Sequence, residues 1–164
     1  MSKVRANLIL AENGATALNG SSRFLSPKAD RERFHLLRSQ ADVILIGGNT
    51  FRSEPYRGIS IPLLVASRSM REVAPGVQFH NCSPVELISI AKTQYQSILI
   101  EGGVDFLSGV IRVKVIDEIF LTRVKISGDG KLFDEEDLKQ NYRMESEEVL
   151  DGLSFERWDL IRQS

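Results

Sequence analysis

Cysteine occurs once in 164 residues, at Cys82, so no internal disulfide can form. With two histidines beside it, the chain lacks the ligands of a zinc site, and no metal is expected. Neither sign of charge is in excess: 21 Lys and Arg face 22 Asp and Glu, a net charge of -1. A protein that binds nucleic acid by displacing counterions needs a basic surplus, so nucleic acid is not an expected partner. Long hydrophobic runs are missing too. No stretch nears the ~18 apolar residues of a membrane span, and Met1-Ser2-Lys3-Val4-Arg5 lacks the apolar core of a signal peptide. Repeats, linkers and low-complexity stretches are absent. The expectation is a reduced, cytoplasmic, metal-free protein folded as one domain over 1–164.

What is present is an alternation of short β-rich runs with amphipathic segments. Val4 to Ala11, Val43 to Ile46, Ile61 to Ala66, Ile98 to Ile100 and Val115 to Ile126 read as strands bounded by Gly, Pro, Ser or Asn. Continuous apolar runs such as Val43-Ile44-Leu45-Ile46 suit strands covered on both faces. Ser26-Pro27 supplies a hydroxyl for an N-cap and a proline for the first helical position, ahead of Phe34, Leu37 and Ala41. Ser83-Pro84-Val85-Glu86 is a capping box before Leu87, Ile88 and Ala91. A third helix is expected from Gly103, carrying Phe106, Leu107, Val110 and Ile111. Arg143 to Leu150 and Ser154 to Ile161 form a terminal antiparallel pair around Asp151-Gly152. The pattern predicts a three-layer α/β domain.

Ligands of open α/β sheets bind at the carboxyl ends of the strands, and two such ends stand out. Ile46-Gly47-Gly48-Asn49-Thr50 is a buried strand running into glycines and a hydroxyl that could cap a helix. Ile100-Glu101-Gly102-Gly103 is another, ending in a carboxylate and two glycines before a helix. Glycines there let the backbone approach a phosphate, and a helix start offers unpaired N–H donors. Neither matches a P-loop or G-x-G-x-x-G. These features point to a nucleotide or anion binder. Ser67-Arg68 follows a third strand, where an arginine fork suits the 2′-phosphate that separates NADPH from NADH. Cys82, His35 and His80 read as core-edge, helix-surface and strand-end residues. Asp134-Glu135-Glu136-Asp137 reads as a solvated loop feeding a short helix.

At these residues the sequence resembles the NADPH-dependent pyrimidine reductases of riboflavin biosynthesis, whose domain shares the dihydrofolate reductase fold. The resemblance runs through Ala11-Glu12-Asn13-Gly14, Ser22-Arg23-Phe24, His35-Leu36-Leu37-Arg38, Ala41 to Thr50, Ile100 to Gly103 and Val115 to Ile119. It implies a mixed, mostly parallel central sheet with a C-terminal antiparallel hairpin. It also implies that Gly48, Thr50, Glu54 and the segment Gly102, Gly103, Val104, Asp105, Phe106 and Leu107 hold NADPH. Ser67 and Arg68 would sit at the 2′-phosphate, and Leu10 and Phe24 would line the cofactor site. Asn7, Ser22, Arg38, Arg57 and Glu101 would bind the phosphorylated ribosylaminopyrimidine, with Glu101 as the catalytic candidate. The chain departs from the family at Glu12-Asn13-Gly14 and in a shorter segment after Thr50.

Three readings follow. The first is a reductase that turns the ribosyl side chain of that substrate into ribityl, a hydride passing from nicotinamide to C1′. The second keeps NADPH but takes dihydrofolate or another pterin, with Asp30 near the place of that family's substrate carboxylate. Against this, Asp30 also reads as a first-turn acid serving the helix dipole. The third is a relative that binds a nucleotide without turnover. No zinc deaminase is expected within these residues, because one cysteine cannot supply its ligands. A homodimer is expected from the resemblance and from Val115 to Ile126, apolar on both faces and thus either central in the sheet or covered by a partner.

Overall fold

The computed structural model describes residues 1–56, 58–69 and 74–164. Among the described residues, eight strands form one sheet: β1 (Lys3–Leu10), β2 (Val43–Gly47), β3 (Leu63–Ala66), β4 (Val77–His80), β5 (Ser97–Gly102), β6 (Glu118–Arg123), β7 (Tyr142–Leu150) and β8 (Leu153–Leu160). Their order is β4-β3-β2-β5-β1-β6-β8-β7. The first six in that order run parallel, and the β7–β8 hairpin joins β6 antiparallel. The helices are α1 (Lys28–Ser39), α2 (Gly48–Ser53), α3 (Pro84–Lys92), α4 (Val104–Arg112) and α5 (Glu136–Asn141). This is the three-layer α/β architecture that the sequence pattern predicts, with the mostly parallel sheet and C-terminal hairpin that the resemblance implies.

Strand alternation sorts the layers. Val4, Ala6, Leu8 and Leu10 of β1 join Val43, Leu45, Ile98 and Ile100 on one face. There they meet Leu87 and Ile88 of α3, Phe106 and Val110 of α4, and Leu138 of α5. On the opposite face, Ile44, Ile46, Leu63 and Val65 pack with Phe51 of α2 and with Tyr56. α1 lies on that second face, where the Arg33 guanidinium stacks over Phe120 and Phe155 at 5.2 and 5.1 Å. Its last turn is held by Arg5 of β1, which donates to the Gln40 backbone carbonyl at 3.0 Å and the Gln40 side chain at 2.8 Å. A buried cation at a helix C-terminus meets the unpaired carbonyls and the negative end of the dipole.

The structure revises several boundaries. β4 is not among the expected strand ranges, although His80 is indeed a strand end: Val77-Gln78-Phe79-His80 is a short run at the sheet edge, too brief for a clear period. The strand expected over Val115 to Ile126 shrinks to Glu118–Arg123. Its residues are apolar on both faces because it lies between β1 and β8, and no covering partner is required. α1 begins one residue late, with Pro27 at the N-cap position. The Ser26 hydroxyl donates instead to the Asp30 carboxylate at 2.5 Å. Thr50 caps nothing, since Gly47 is the N-cap of α2 and Thr50 lies inside its first turn. The capping box of α3 is present, with Ser83 and Glu86 exchanging bonds of 3.2 and 2.8 Å. The Asp151-Gly152 turn has φ of 52° and 77°, the two left-handed residues of a type I′ hairpin.

Candidate active site

β2 and β5 are adjacent parallel strands whose chains leave in opposite directions. β2 passes through α2 on one face toward β3, and β5 passes through α4 on the other face toward β6. A crevice must open where neighbouring strands part in this way. Here it is a cleft of about 670 Å³, walled by Asn7, Gly48, Thr50, Arg38, Glu101 and the α4 start, among others.

Both helix starts at the cleft are bare. Gly47 and Gly103 are the N-caps of α2 and α4, and neither helix has a side-chain cap. The first intrahelical bond of α4 is Leu107 N–H to the Gly103 carbonyl, so the preceding N–H groups have no partner within the helix. Gly102 has φ of +121°, a conformation that favours glycine, and the Gly102–Gly103 peptide is cis. The two starts press together. A Cβ on Gly103 would stand 2.9 Å from Thr50 Oγ1, and one on Gly48 3.0 Å from Ser67 Oγ. A larger residue at Gly103 would thus intrude between the two starts, while one at Gly48 would press on Ser67 beneath.

On the opposite wall, β5 carries a bulge. Leu45 pairs with Ile100 and Ile46 with Gly102, so Glu101 is the extra residue. Bulges beside sites re-aim a side chain, and Glu101 lies on the α1 side of the sheet. Its carboxylate is only 1% exposed and its partner Arg38 is 17% exposed. Arg38 Nε and Nη2 donate to Oε1 at 2.7 Å and Oε2 at 2.8 Å, and the Tyr56 hydroxyl donates to Oε2 at 2.7 Å. Aromatic rings flank the guanidinium, Phe34 at 4.2 Å and Tyr56 at 5.3 Å. Burial foremost, then the Glu101 charge, pushes the Tyr56 phenol well above its ordinary range. Desolvation opposes the charge on Arg38, but the bonds to Glu101 outweigh it and raise its pKa.

The expected site residues divide. Asn7, Ser22, Arg38, Gly48, Thr50, Glu54 and Glu101 through Leu107 all line the cleft. Glu54 does so with its carboxylate engaged, accepting from Ser21 Oγ at 2.9 Å and the Ser22 N–H at 2.7 Å. Leu10 does not line it: the side chain is 0% exposed in the main core, because β1 alternation turns it to the α4 face. Phe24 is half exposed on the 3-10 turn Ser22–Phe24, outside the lining. Ser67 is buried beneath Gly48, and Arg68 is exposed beyond the end of β3; neither lines the cleft. Arg57 lies outside the described residues. Asp30 stands in the first turn of α1, as expected of an acid serving the helix dipole, and it is also 5% exposed and lines the cleft. Tyr56 was missed, because a tyrosine in an irregular segment after α2 carries no periodic signal.

No family model matches the sequence, and no curated protein matches it. Solved structures do. A candidate riboflavin biosynthesis protein from Shewanella sp. PV-4 has a TM-score of 0.80 at 22% identity, over 98% of this chain and 99% of its own. RibD of Acinetobacter baumannii gives 0.77 at 18% identity, over 99% of this chain and 59% of that one. A pyrimidine reductase-like protein from Corynebacterium diphtheriae gives 0.71 at 18%, over 99% and 93%. At these identities the likeness establishes a shared fold.

Proposed function

We propose that the chain is an NADPH-dependent reductase that converts the ribosyl side chain of a phosphorylated ribosylaminopyrimidine to ribityl in riboflavin biosynthesis. One observation carries this reading. Two uncapped, glycine-opened helix starts and a buried Arg38–Glu101 pair face one cleft at the topological switch point. The solved neighbours support it, two of them named for riboflavin biosynthesis or pyrimidine reduction and the third named RibD.

The residues fit a dinucleotide. The backbone from Gly102 to Leu107 and the Gly48–Thr50 turn would hold its phosphates, N–H groups pointing at negative charge. Arg68, exposed at the end of β3, would meet a 2′-phosphate. When bound, the nicotinamide supplies a hydride. Arg38 would orient the substrate beside it, with Asn7 and Ser22 as further contacts. Glu101 serves this task by fixing Arg38, since its oxygens are already occupied. The fold contributes alignment and exclusion of water.

Oxidation of NADPH with phosphoribosylaminopyrimidines, and recovery of the ribityl product, tests the reading. Tight NADPH binding without turnover on any candidate would overturn it in favour of a non-catalytic nucleotide binder. A second substrate class has its own support. Asp30, a buried carboxylate in the cleft, is suited to accept from the amino and ring N–H groups of a pterin, so dihydrofolate belongs in the same assay. The reading includes a cytoplasmic homodimer. Its support is the edge strand β7, exposed along nearly its whole length with Met144, Val149 and Leu150 uncovered. Sedimentation showing only monomer at micromolar concentration removes that part.

A further inference from the structure

Tyr56 fills a place that phenylalanine could fill. Its ring packs with Ile44, Ile46 and Leu63, and only the hydroxyl distinguishes it from an apolar residue. A buried hydroxyl must find a partner or destabilise the fold. This one donates to Glu101 Oε2, the same oxygen that accepts Arg38 Nη2. Glu101 Oε1 takes Nε. The guanidinium is therefore fixed along one edge by a carboxylate that Tyr56 itself holds, while the rings of Phe34 and Tyr56 lie against it. Nη1 has no hydrogen-bond partner among the described residues, and Arg38 keeps its small exposure toward the cleft.

We propose that Tyr56 is a positioning residue that acts through Glu101, holding Arg38 so that the Nη1 edge is presented to an anionic oxygen of the bound substrate. Glu101 is then the middle of a chain, phenol to carboxylate to guanidinium, and the group that meets the ligand is the cation. A phosphate or carboxylate oxygen suits that edge, because an N–H donor on a cation bonds an anion more strongly than a neutral acceptor. The substrate part of this inference rests on the reductase reading. The ordering of Arg38 does not.

The test uses Tyr56→Phe, which keeps the ring. In NMR spectra of arginine side chains, with the Arg38 signal identified by its loss in Arg38→Lys, Nε–H exchange with water is expected to quicken at least tenfold in Tyr56→Phe. Unchanged exchange overturns the proposal whatever reaction the protein performs. With an active substrate, Tyr56→Phe is expected to raise KM at least fivefold, to change kcat less than twofold and to leave the NADPH Kd unaltered. In an Arg38→Lys background the same change should raise KM no further. An equal rise in both backgrounds, or none in either, also overturns it. If the parent protein oxidises no NADPH with any candidate, the reductase reading fails, while the exchange measurement still decides Tyr56.

Discussion

Replacing Glu101 by glutamine keeps size and shape while removing one charge and one acceptor. In the native site three donors converge on two carboxylate oxygens: Arg38 Nε and Nη2, and the Tyr56 hydroxyl. A glutamine amide offers one oxygen and turns an NH2 group toward donors. Arg38 is left as a charge without its counterion, and removing one partner of a buried pair costs about 3–5 kcal/mol. Arg38 retains 17% exposure to the cleft, so the lower end of that range applies. For a domain of this size roughly 2–4 °C of Tm accompanies each kcal/mol, so Glu101→Gln should melt on the order of 6–12 °C lower. It should also lower kcat/KM at least tenfold, about 1.4 kcal/mol of transition-state binding, with NADPH affinity nearly unchanged. Calorimetry and steady-state kinetics on the one variant check both. An exposed anion serving a helix dipole is worth well under ~1 kcal/mol. A Tm within about 2 °C of the parent would therefore refute the buried-pair argument.

Arg68→Ala should narrow the preference for NADPH over NADH by about 1–3 kcal/mol, read by cofactor titration; a parent that binds both equally would remove the assignment. Gly103→Ala places a Cβ 2.9 Å from Thr50 Oγ1 and should weaken cofactor binding at least tenfold, about 1.4 kcal/mol; an unchanged Kd would mean that helix start is not used. Gly152→Ala forces an L-residue to φ of 77° and should cost about 1–2 kcal/mol in urea unfolding. Tyr56 and Tyr142 both hold their protons above the ordinary phenol range, through burial foremost. The unfolded chain then ionises first and binds fewer protons, so stability is full below a pH of about 10 and falls above it. Tyr56→Phe should flatten that alkaline decline, and an identical slope in urea midpoints would contradict it.

The strands and glycine pairs that build the cleft were legible because each is a short-range signal. Val43-Ile44-Leu45-Ile46 is apolar throughout, and β2 is indeed covered on both faces. Gly102-Gly103 precedes a run at helical spacing, and α4 follows it. What escaped depends on long-range packing. Leu10 belongs to the core because β1 alternation turns it away from the cleft, a parity that a family motif does not carry. Tyr56 reaches Glu101 across 45 positions, and no local spacing anticipates that bond. The bulge that makes Glu101 the unpaired residue of β5 arises from its register against β2, a property of two strands together.

Charge shows the same division between the chain and the site. A net charge of -1 argues against a long polyanion as partner, since that needs many cations over a wide surface. It does not describe the field inside a cleft, where low-dielectric walls concentrate whatever charge remains unpaired. Of the carboxylates lining this cleft, Glu101 is paired with Arg38 and Asp105 with Lys131, whereas Asp30 and Glu54 are held by neutral donors of Ser26, Ser21 and Ser22 and keep their charge. Arg23 and Arg31 line the same space with no ion pair among the described residues. These two cations balance the two carboxylates held only by neutral donors, so the N–H groups and dipole at the start of α4 set the sign of the field where they face the cleft. On the proposed reading, a dinucleotide phosphate would be held at that helix start without any surplus of cationic side chains.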